Sequence, residues 1–210
     1  MNKPISYFLG EGLLIVFSIL LALGVNEWRI RSGEAAETRR AIGSIYAELA
    51  DNLSLLDDLP EYHGAVVKAL REEIAVIKAS NGADARTPMD VFSGIEILRP
   101  TFLITRMPQN VSWELARQRG AAARFDYELA KRLSVIYDVQ DDGVVILYNE
   151  IAVAMSRPEM FSSEKQDVAL SSLASLMSEL ASREETLVYL LKQNDETMRA
   201  QYEWLAQEDA

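Results

Sequence analysis

The chain has 210 residues, a net charge of −11, 49% hydrophobic and 25% charged residues, and no cysteine. It is too hydrophobic to be intrinsically disordered, and the lack of cysteine excludes disulfides, thiolate nucleophiles and cysteine-ligated metal centres. The 32 acidic residues outnumber the 21 basic ones, which argues against nucleic acid as a partner because phosphates attract Lys and Arg. With 10 Gly and 6 Pro, few breakers interrupt the chain, so long helices are favoured.

The N-terminal part of the chain is an apolar run that is long enough to cross a membrane. Residues 5–25 contain one charged residue, Glu11, and a helix of this length spans roughly 30 Å of hydrocarbon. Trp28 follows the run as a predicted interfacial anchor. The alternative is a cleaved signal peptide, in which Ala22 would belong to a small-x-small cleavage site. The interrupting charge and the single preceding Lys3 favour an uncleaved anchor.

Within this run, two features indicate contacts with another helix. Ser18 and Ala22 lie four residues apart, a spacing that permits close approach of two helices. Glu11 is a carboxylate inside the apolar run, and it either reaches the nearer headgroups or meets a cation or donor on a partner helix. The predicted membrane and partner contacts are therefore Glu11, Ser18, Ala22 and Trp28, with the bilayer and a protein partner or a second copy as the partners.

Beyond the anchor, apolar residues recur at helical spacing almost everywhere. The first helix of this part carries Asn52 at a heptad core position, where a polar residue usually fixes register. Pro60 is predicted to end that helix and to open the next. Thr87 and Ser112 are predicted N-caps of two short helices, and residues 102–104 a loop pressed onto the core.

Two further long helices follow. The first is predicted to start at Asp126 and to continue through Gly143 as far as the turn at Pro158. A capping-box pattern at 163–166 precedes the last helix, which runs nearly to the C-terminus.

Together these patterns predict an all-α fold, with one N-terminal transmembrane helix followed by an antiparallel bundle of about four long helices. Residues 1–31 form the anchor with its flanks and residues 32–210 the extramembrane domain. Only Ser32 and Gly33 could interrupt the chain between them, so a continuous or slightly kinked helix is expected to join the two parts.

The titratable residues form no catalytic pattern. His63, the only histidine, is interpreted as a solvated residue at a helix start, because a di-iron bundle would need Glu-x-x-His pairs. Adjacent carboxylates such as Glu184 and Glu185 point about 100° apart on a helix and are interpreted as solvated faces. The sequence therefore predicts no catalytic activity, no metal and no cofactor.

Trp113 with Arg117, Arg119 and Arg124 is the one basic–aromatic cluster in this acidic chain. Its simplest interpretation is a core tryptophan flanked by surface arginines. The functional interpretation makes Trp113, Arg117 and Arg119 contacts for an anion, a ligand or a partner. A sensory or ligand-binding bundle with a pocket between Trp113 and residues 83–109 is thus the alternative to an interaction or scaffold protein.

Several short motifs resemble a broad family of uncharacterised bacterial single-pass membrane proteins that share a domain of unknown function. The motifs are Gly10-Glu11-x-Leu13-Leu14-Ile15-Val16, Asn26-x-Trp28, Glu48-Leu49 with Asn52, Ser112-Trp113-Glu114-x-Ala116 with Gly120, and Leu133-Ser134-x-Ile136-Tyr137. The resemblance implies an anchored helical domain in the bacterial inner membrane and no activity.

The side of the membrane is predicted from the basic residues that flank the apolar run. Lys3 precedes it, and four arginines follow it (Arg29, Arg31, Arg39 and Arg40). The positive-inside rule then places the helical domain in the cytoplasm. Because the difference rests on few residues, the periplasmic side stays an alternative.

Overall fold

A computed structural model describes residues 5–80, 84–100, 102–103 and 106–205, with side chains from Leu13 onward. All regular structure in these ranges is helical, which confirms the all-α prediction for this part of the chain. The α-helices are α1 (Ile5–Leu56), α2 (Leu59–Ala79), α3 (Pro88–Ser93), α4 (Val111–Gln118), α5 (Tyr127–Asp138), α6 (Ile146–Met155) and α7 (Gln166–Gln201). A π-helix (Val139–Val145) joins α5 to α6, and short 3₁₀ helices lie at Ala122–Arg124 and Pro158–Phe161.

Helix α1 carries the apolar run and the first part of the helical domain without a break over 52 residues. Its large apolar side chains from Leu13 to Val25 are 54–73% exposed, so no other part of the described chain covers them. From Ile42 onward one face of the same helix is buried in the core. The helix therefore passes directly from an uncovered apolar segment into the packed domain, as its sequence leads us to expect.

Pro60 does not reverse the chain, contrary to the turn that an antiparallel hairpin requires. The amide of Asp57 still donates to the Leu53 carbonyl at 3.0 Å, so helical hydrogen bonding continues to the end of α1. Asp58 keeps a right-handed helical conformation, and Pro60 lies in the first turn of α2, where its missing N–H leaves no hydrogen bond unmade. The junction is a bend at which the chain does not reverse.

Contacts along α7 establish this direction. As residue numbers rise along α1 and α2, the numbers of their partners on α7 fall steadily. The pairs are Tyr46 with Asp195, Asp57 with Lys192, His63 with Glu184, and Arg71 with Ser178. Helix α7 is thus antiparallel to both α1 and α2, which form one bent column.

The segment from α5 through the π-helix to α6 forms a second column beside the first. Its Tyr137 and Tyr148 bond to Glu48 and Glu184 respectively, so it runs parallel to α1–α2 and antiparallel to α7. Helix α7 is the third column, and it contacts both of these columns. Residues 84–126 cross between the first column and the second.

The predicted cap at Thr87 is confirmed, and Asp126, the predicted start of the next long helix, is the N-cap of α5. The Thr87 hydroxyl accepts from the Asp90 amide at 3.1 Å, and the Asp90 carboxylate accepts from the Thr87 amide at 2.9 Å. The Asp126 carboxylate accepts from the Leu129 amide at 2.9 Å. Each carboxylate or hydroxyl thereby satisfies an N–H that has no partner within its helix.

The other two predicted caps are wrong. Ser112 lies inside the first turn of α4, which starts after Asn110, and the Ser112 amide donates to the Glu48 carboxylate at 2.8 Å. Helix α7 starts after Lys165, whose φ of 56° is left-handed, and no side chain caps it. Tertiary contacts, here a carboxylate from α1, replaced the local cap that the sequence pattern suggests.

Candidate functional site

His63 is at the centre of a fully buried polar cluster. It stands on α2, Glu184 stands on α7, and Tyr148 stands on α6. The His63 Nδ1 atom lies 2.8 Å from Glu184 Oε2, and the Tyr148 hydroxyl donates a short hydrogen bond to Glu184 Oε1. The other ring nitrogen of His63 lies 3.5 Å from the Phe102 carbonyl oxygen.

The interpretation of His63 and Glu184 as solvated residues is therefore wrong. Both side chains are 0% exposed, whereas the neighbouring Glu185 is exposed. The burial of Glu184 could have been predicted from its position on the apolar stripe of this helix. It lies four residues after Leu180, three before Leu187 and seven before Leu191. A charged residue on such a stripe must find a partner, because burying an unpaired charge is costly.

This cluster links the three helical columns through one carboxylate. Burial first, and then the charge of Glu184, raises the pKa of the Tyr148 hydroxyl, so the phenol stays protonated and keeps donating. Two donors on two columns thus converge on a carboxylate from the third. The side chains of this cluster are buried, so they present no reactive atom to solvent. The role that this geometry supports is structural: the cluster fixes how the columns pack.

A second polar network surrounds Asn52. Its Nδ2 atom donates to the Gln109 carbonyl at 2.7 Å and to Gln140 Oε1 at 2.9 Å, and its Oδ1 atom accepts from the Gln109 amide at 2.8 Å. Asn52 and Gln140 are both buried. The amide therefore binds the crossing segment and the π-helix to α1, which fits the predicted role of fixing register.

Gln140, which completes this network, lies in the first turn of the π-helix. The sequence predicts an uninterrupted α-helix through Gly143, but residues 139–145 form a wider turn. Such a turn inserts extra residues into the helical repeat and redirects the side chains beyond it. Gln140 is 0% exposed and bonds to both Asn52 and the Gln109 carbonyl.

Trp113 and Arg117 lie together, whereas Arg119 lies apart from them. Trp113 is buried and its ring stacks on Tyr137, with centroids 5.6 Å apart and planes 1° from parallel. The Arg117 guanidinium lies 5.9 Å from the Trp113 ring and pairs with Glu114 at 3.0 Å. Arg119 is exposed at the end of α4. The geometry agrees with the simpler interpretation, a core tryptophan covered by a surface arginine.

The cavity nearest to this cluster opens beside Glu48, Asp51 and Arg106 and has a volume of about 280 Å³. Trp113 does not line it. A larger cavity of about 500 Å³ lies at the other end of the domain, between α6 and the start of α7, where Arg157 and Lys165 contribute to its wall. Among the described residues no three histidine or acidic side chains converge as metal ligands.

The predicted membrane contacts all lie on α1. The Ser18 hydroxyl donates to the Leu14 carbonyl at 2.8 Å, within its own helix, and Ala22 is exposed. Trp28 is 71% exposed. The backbone of Glu11 belongs to α1, and its side chain lies outside the described residues. The described part of α1 contains one stretch that is long and apolar enough to cross a membrane.

The chain matches no protein-family model, no curated protein and no solved structure.

Proposed function

We propose that this chain is a single-pass membrane protein whose helical domain serves as an interaction, scaffold or accessory-subunit module without catalytic activity. The observation that carries the proposal is the continuity of α1. One helix holds an uncovered apolar segment at its start and the core of the domain at its end. Exposed apolar side chains over this length are unfavourable in water and favourable in lipid.

The rigid junction supports the scaffold role. Because no loop separates the apolar segment from the packed domain, the orientation of the domain follows that of the membrane helix. Association of membrane helices through Glu11 and the Ser18–Ala22 face would thereby bring helical domains together in one arrangement. We place the domain on the cytoplasmic side of a bacterial inner membrane, and we propose that its long helices form an antiparallel bundle in which α7 runs opposite to the others.

Co-purification from native membranes tests this proposal. Two copies of the full chain with different affinity tags are expressed together, solubilised in mild detergent and captured through one tag. The second tagged copy, or a distinct stoichiometric protein, is expected in the eluate and is expected to decrease in Glu11→Ala. Glu27→Ala, which removes a carboxylate just outside the apolar run, serves as the matched control. Recovery of monomer alone, unchanged by Glu11→Ala, contradicts the proposal.

A small-ligand-binding bundle is the second candidate, and the cavity beside Arg106 favours it. That cavity lies against the Asn52 network, so a bound group would contact residues that connect α1 to the π-helix. A thermal-shift screen with metabolites tests this candidate, since a ligand that binds the native state raises its stability. A hit that Arg106→Ala abolishes supports sensing, and a screen without hits contradicts it.

A further inference from the structure

A cavity lined by arginines lies where the helical domain meets the apolar segment. Its volume is about 440 Å³, and one face of α1 forms its wall from Arg31 to Ile42. Tyr202 and Trp204, which follow α7, close the opposite side, and Arg124 lies at its edge. Because α7 runs antiparallel to α1, the residues that follow α7 lie beside the part of α1 that lines the cavity.

Three arginines and one acidic residue, Glu34, line this cavity. The Arg39 guanidinium stacks on the Trp204 ring at 4.4 Å and has no carboxylate within 4 Å among the described residues. Arg31 and Arg124 pair at 2.7 Å with Glu27 and Glu37. These pairs are on the surface, where an ion pair contributes little and is readily exchanged for another anion.

The position of the cavity relative to the membrane follows from helix geometry. With Trp28 at the interface, Arg31 lies about 4.5 Å further along the helix axis and Arg39 about 16.5 Å further, at 1.5 Å per residue. The headgroup layer is roughly 5–8 Å thick on each side of the hydrocarbon. The cavity therefore opens beside the headgroups at Arg31 and extends away from them toward Arg39.

We propose that this cavity binds the phosphate headgroup of an anionic phospholipid. Arg31 contacts the phosphate at headgroup depth, and Arg39, whose side chain leans back along the helix toward the membrane, contacts the outer end of the headgroup. Guanidinium groups form paired hydrogen bonds with phosphate oxygens, and basic residues just outside a membrane helix attract anionic lipids. The Arg39 guanidinium and the Trp204 ring on which it stacks belong to two residues of the cavity wall. This inference rests on the proposed membrane anchoring of α1.

Lipid binding to the full chain in a neutral detergent tests the inference, because a neutral micelle removes the general attraction of a charged surface. Native mass spectrometry is used to titrate phosphatidylglycerol and phosphatidylcholine. One phosphatidylglycerol is expected to bind at least tenfold more tightly than phosphatidylcholine. The double variant Arg31→Ala/Arg39→Ala is expected to lose at least tenfold in this binding, since one basic residue contributes about fivefold.

The matched control is Arg29→Ala/Arg40→Ala, which removes the same charge at similar depths from residues that do not line the cavity. It is expected to change binding less than twofold, and far-ultraviolet circular dichroism checks that both variants fold. Equal losses in the two double variants overturn the inference. So does an absence of selectivity for the anionic lipid, or displacement of the lipid by millimolar inorganic phosphate, which would identify a free anion as the ligand.

Alkaline carbonate extraction of membranes separates this inference from the proposed function. Release of the chain into the supernatant contradicts membrane anchoring itself. Retention in the membrane without selective lipid binding contradicts the lipid site alone.

Discussion

At the residue scale, the most informative side chain is Glu184. It accepts hydrogen bonds from two other columns while it is fully buried. Removing Glu184 would leave the His63 and Tyr148 side chains buried without their hydrogen-bond partner. Buried polar groups without a partner lower the free energy of unfolding more than apolar side chains in their place would.

Glu184→Ala is therefore expected to lower the free energy of unfolding by about 3–5 kcal/mol. Urea denaturation of the detergent-solubilised chain, followed by circular dichroism, measures the change. Glu185→Ala on the exposed side of the same turn is the control, expected within about 0.5 kcal/mol of the parent. Equal small effects at both positions would mean that Glu184 is solvated, as its sequence context suggests.

Asp126 caps the N-terminus of α5 with a charged carboxylate. The Leu129 amide, and then Gln201 and Tyr202, hold the pKa of this carboxyl below its ordinary value of 3.8. A lowered pKa in the folded state means that the stabilisation is fully present above pH 3.8. It is lost as the pH falls through the folded pKa.

We expect Asp126→Ala to destabilise the chain by about 1 kcal/mol at pH 7, the usual contribution of an N-cap. The difference between variant and parent should shrink as the pH falls below 3.8, because the parent then loses the charged cap. Urea midpoints measured between pH 7 and pH 3 provide the test. Glu128→Ala, which leaves the cap in place, is the control, and a constant difference at all pH values would count against the assignment.

At the element scale, two glycines differ in whether their backbone conformation suits a residue with a side chain. Gly143 lies in the π-helix, and a Cβ added there would meet the Arg183 side chain at 3.7 Å, an ordinary contact distance. Gly120, just past α4, has a φ of +74°, a conformation that residues with a side chain rarely adopt.

Gly143→Ala is accordingly expected to raise the free energy of unfolding by about 0.5–1 kcal/mol, because alanine restricts the unfolded chain without strain. Gly120→Ala is expected to lower it by about 1 kcal/mol. Thermal unfolding of the two variants side by side measures both changes. The same sign for both would show that their backbone conformations do not differ as described.

At the scale of the whole molecule, the proposed membrane anchoring predicts on which side of the membrane the domain lies. The chain has no cysteine, so a single introduced cysteine reports its own accessibility. We expect Ser175→Cys, on the exposed face of α7, to resist a membrane-impermeant maleimide in intact cells and to react after permeabilisation. Ser18→Cys in the apolar segment is the control and should stay unlabelled in both states. Labelling of Ser175→Cys in intact cells would place the domain in the periplasm.

Local pattern predicted the elements of the molecule well. Apolar spacing indicates nearly all the helices, and the caps at Thr87 and Asp126 could be found because their partners lie three residues away. Two of the predictions that were wrong concern partners far along the chain. Glu48 lies 64 residues from the Ser112 amide that it binds, and Glu184 lies 121 residues from His63.

The sequence by itself determined that the chain is helical and that α1 begins with an apolar segment of membrane-spanning length. Both properties can be read from residues that are close together in the sequence, because they depend on side-chain hydrophobicity and on the 3.6-residue period of an α-helix. The tertiary structure decided that the chain bends at Pro60 without reversing, and that His63 and Glu184 are buried. A proline in the first turn of a helix is compatible with either a bend or a reversal of the chain. Whether His63 and Glu184 are buried depends on which columns pack together. Packing of α7 along both α1 and α2 selects the bend.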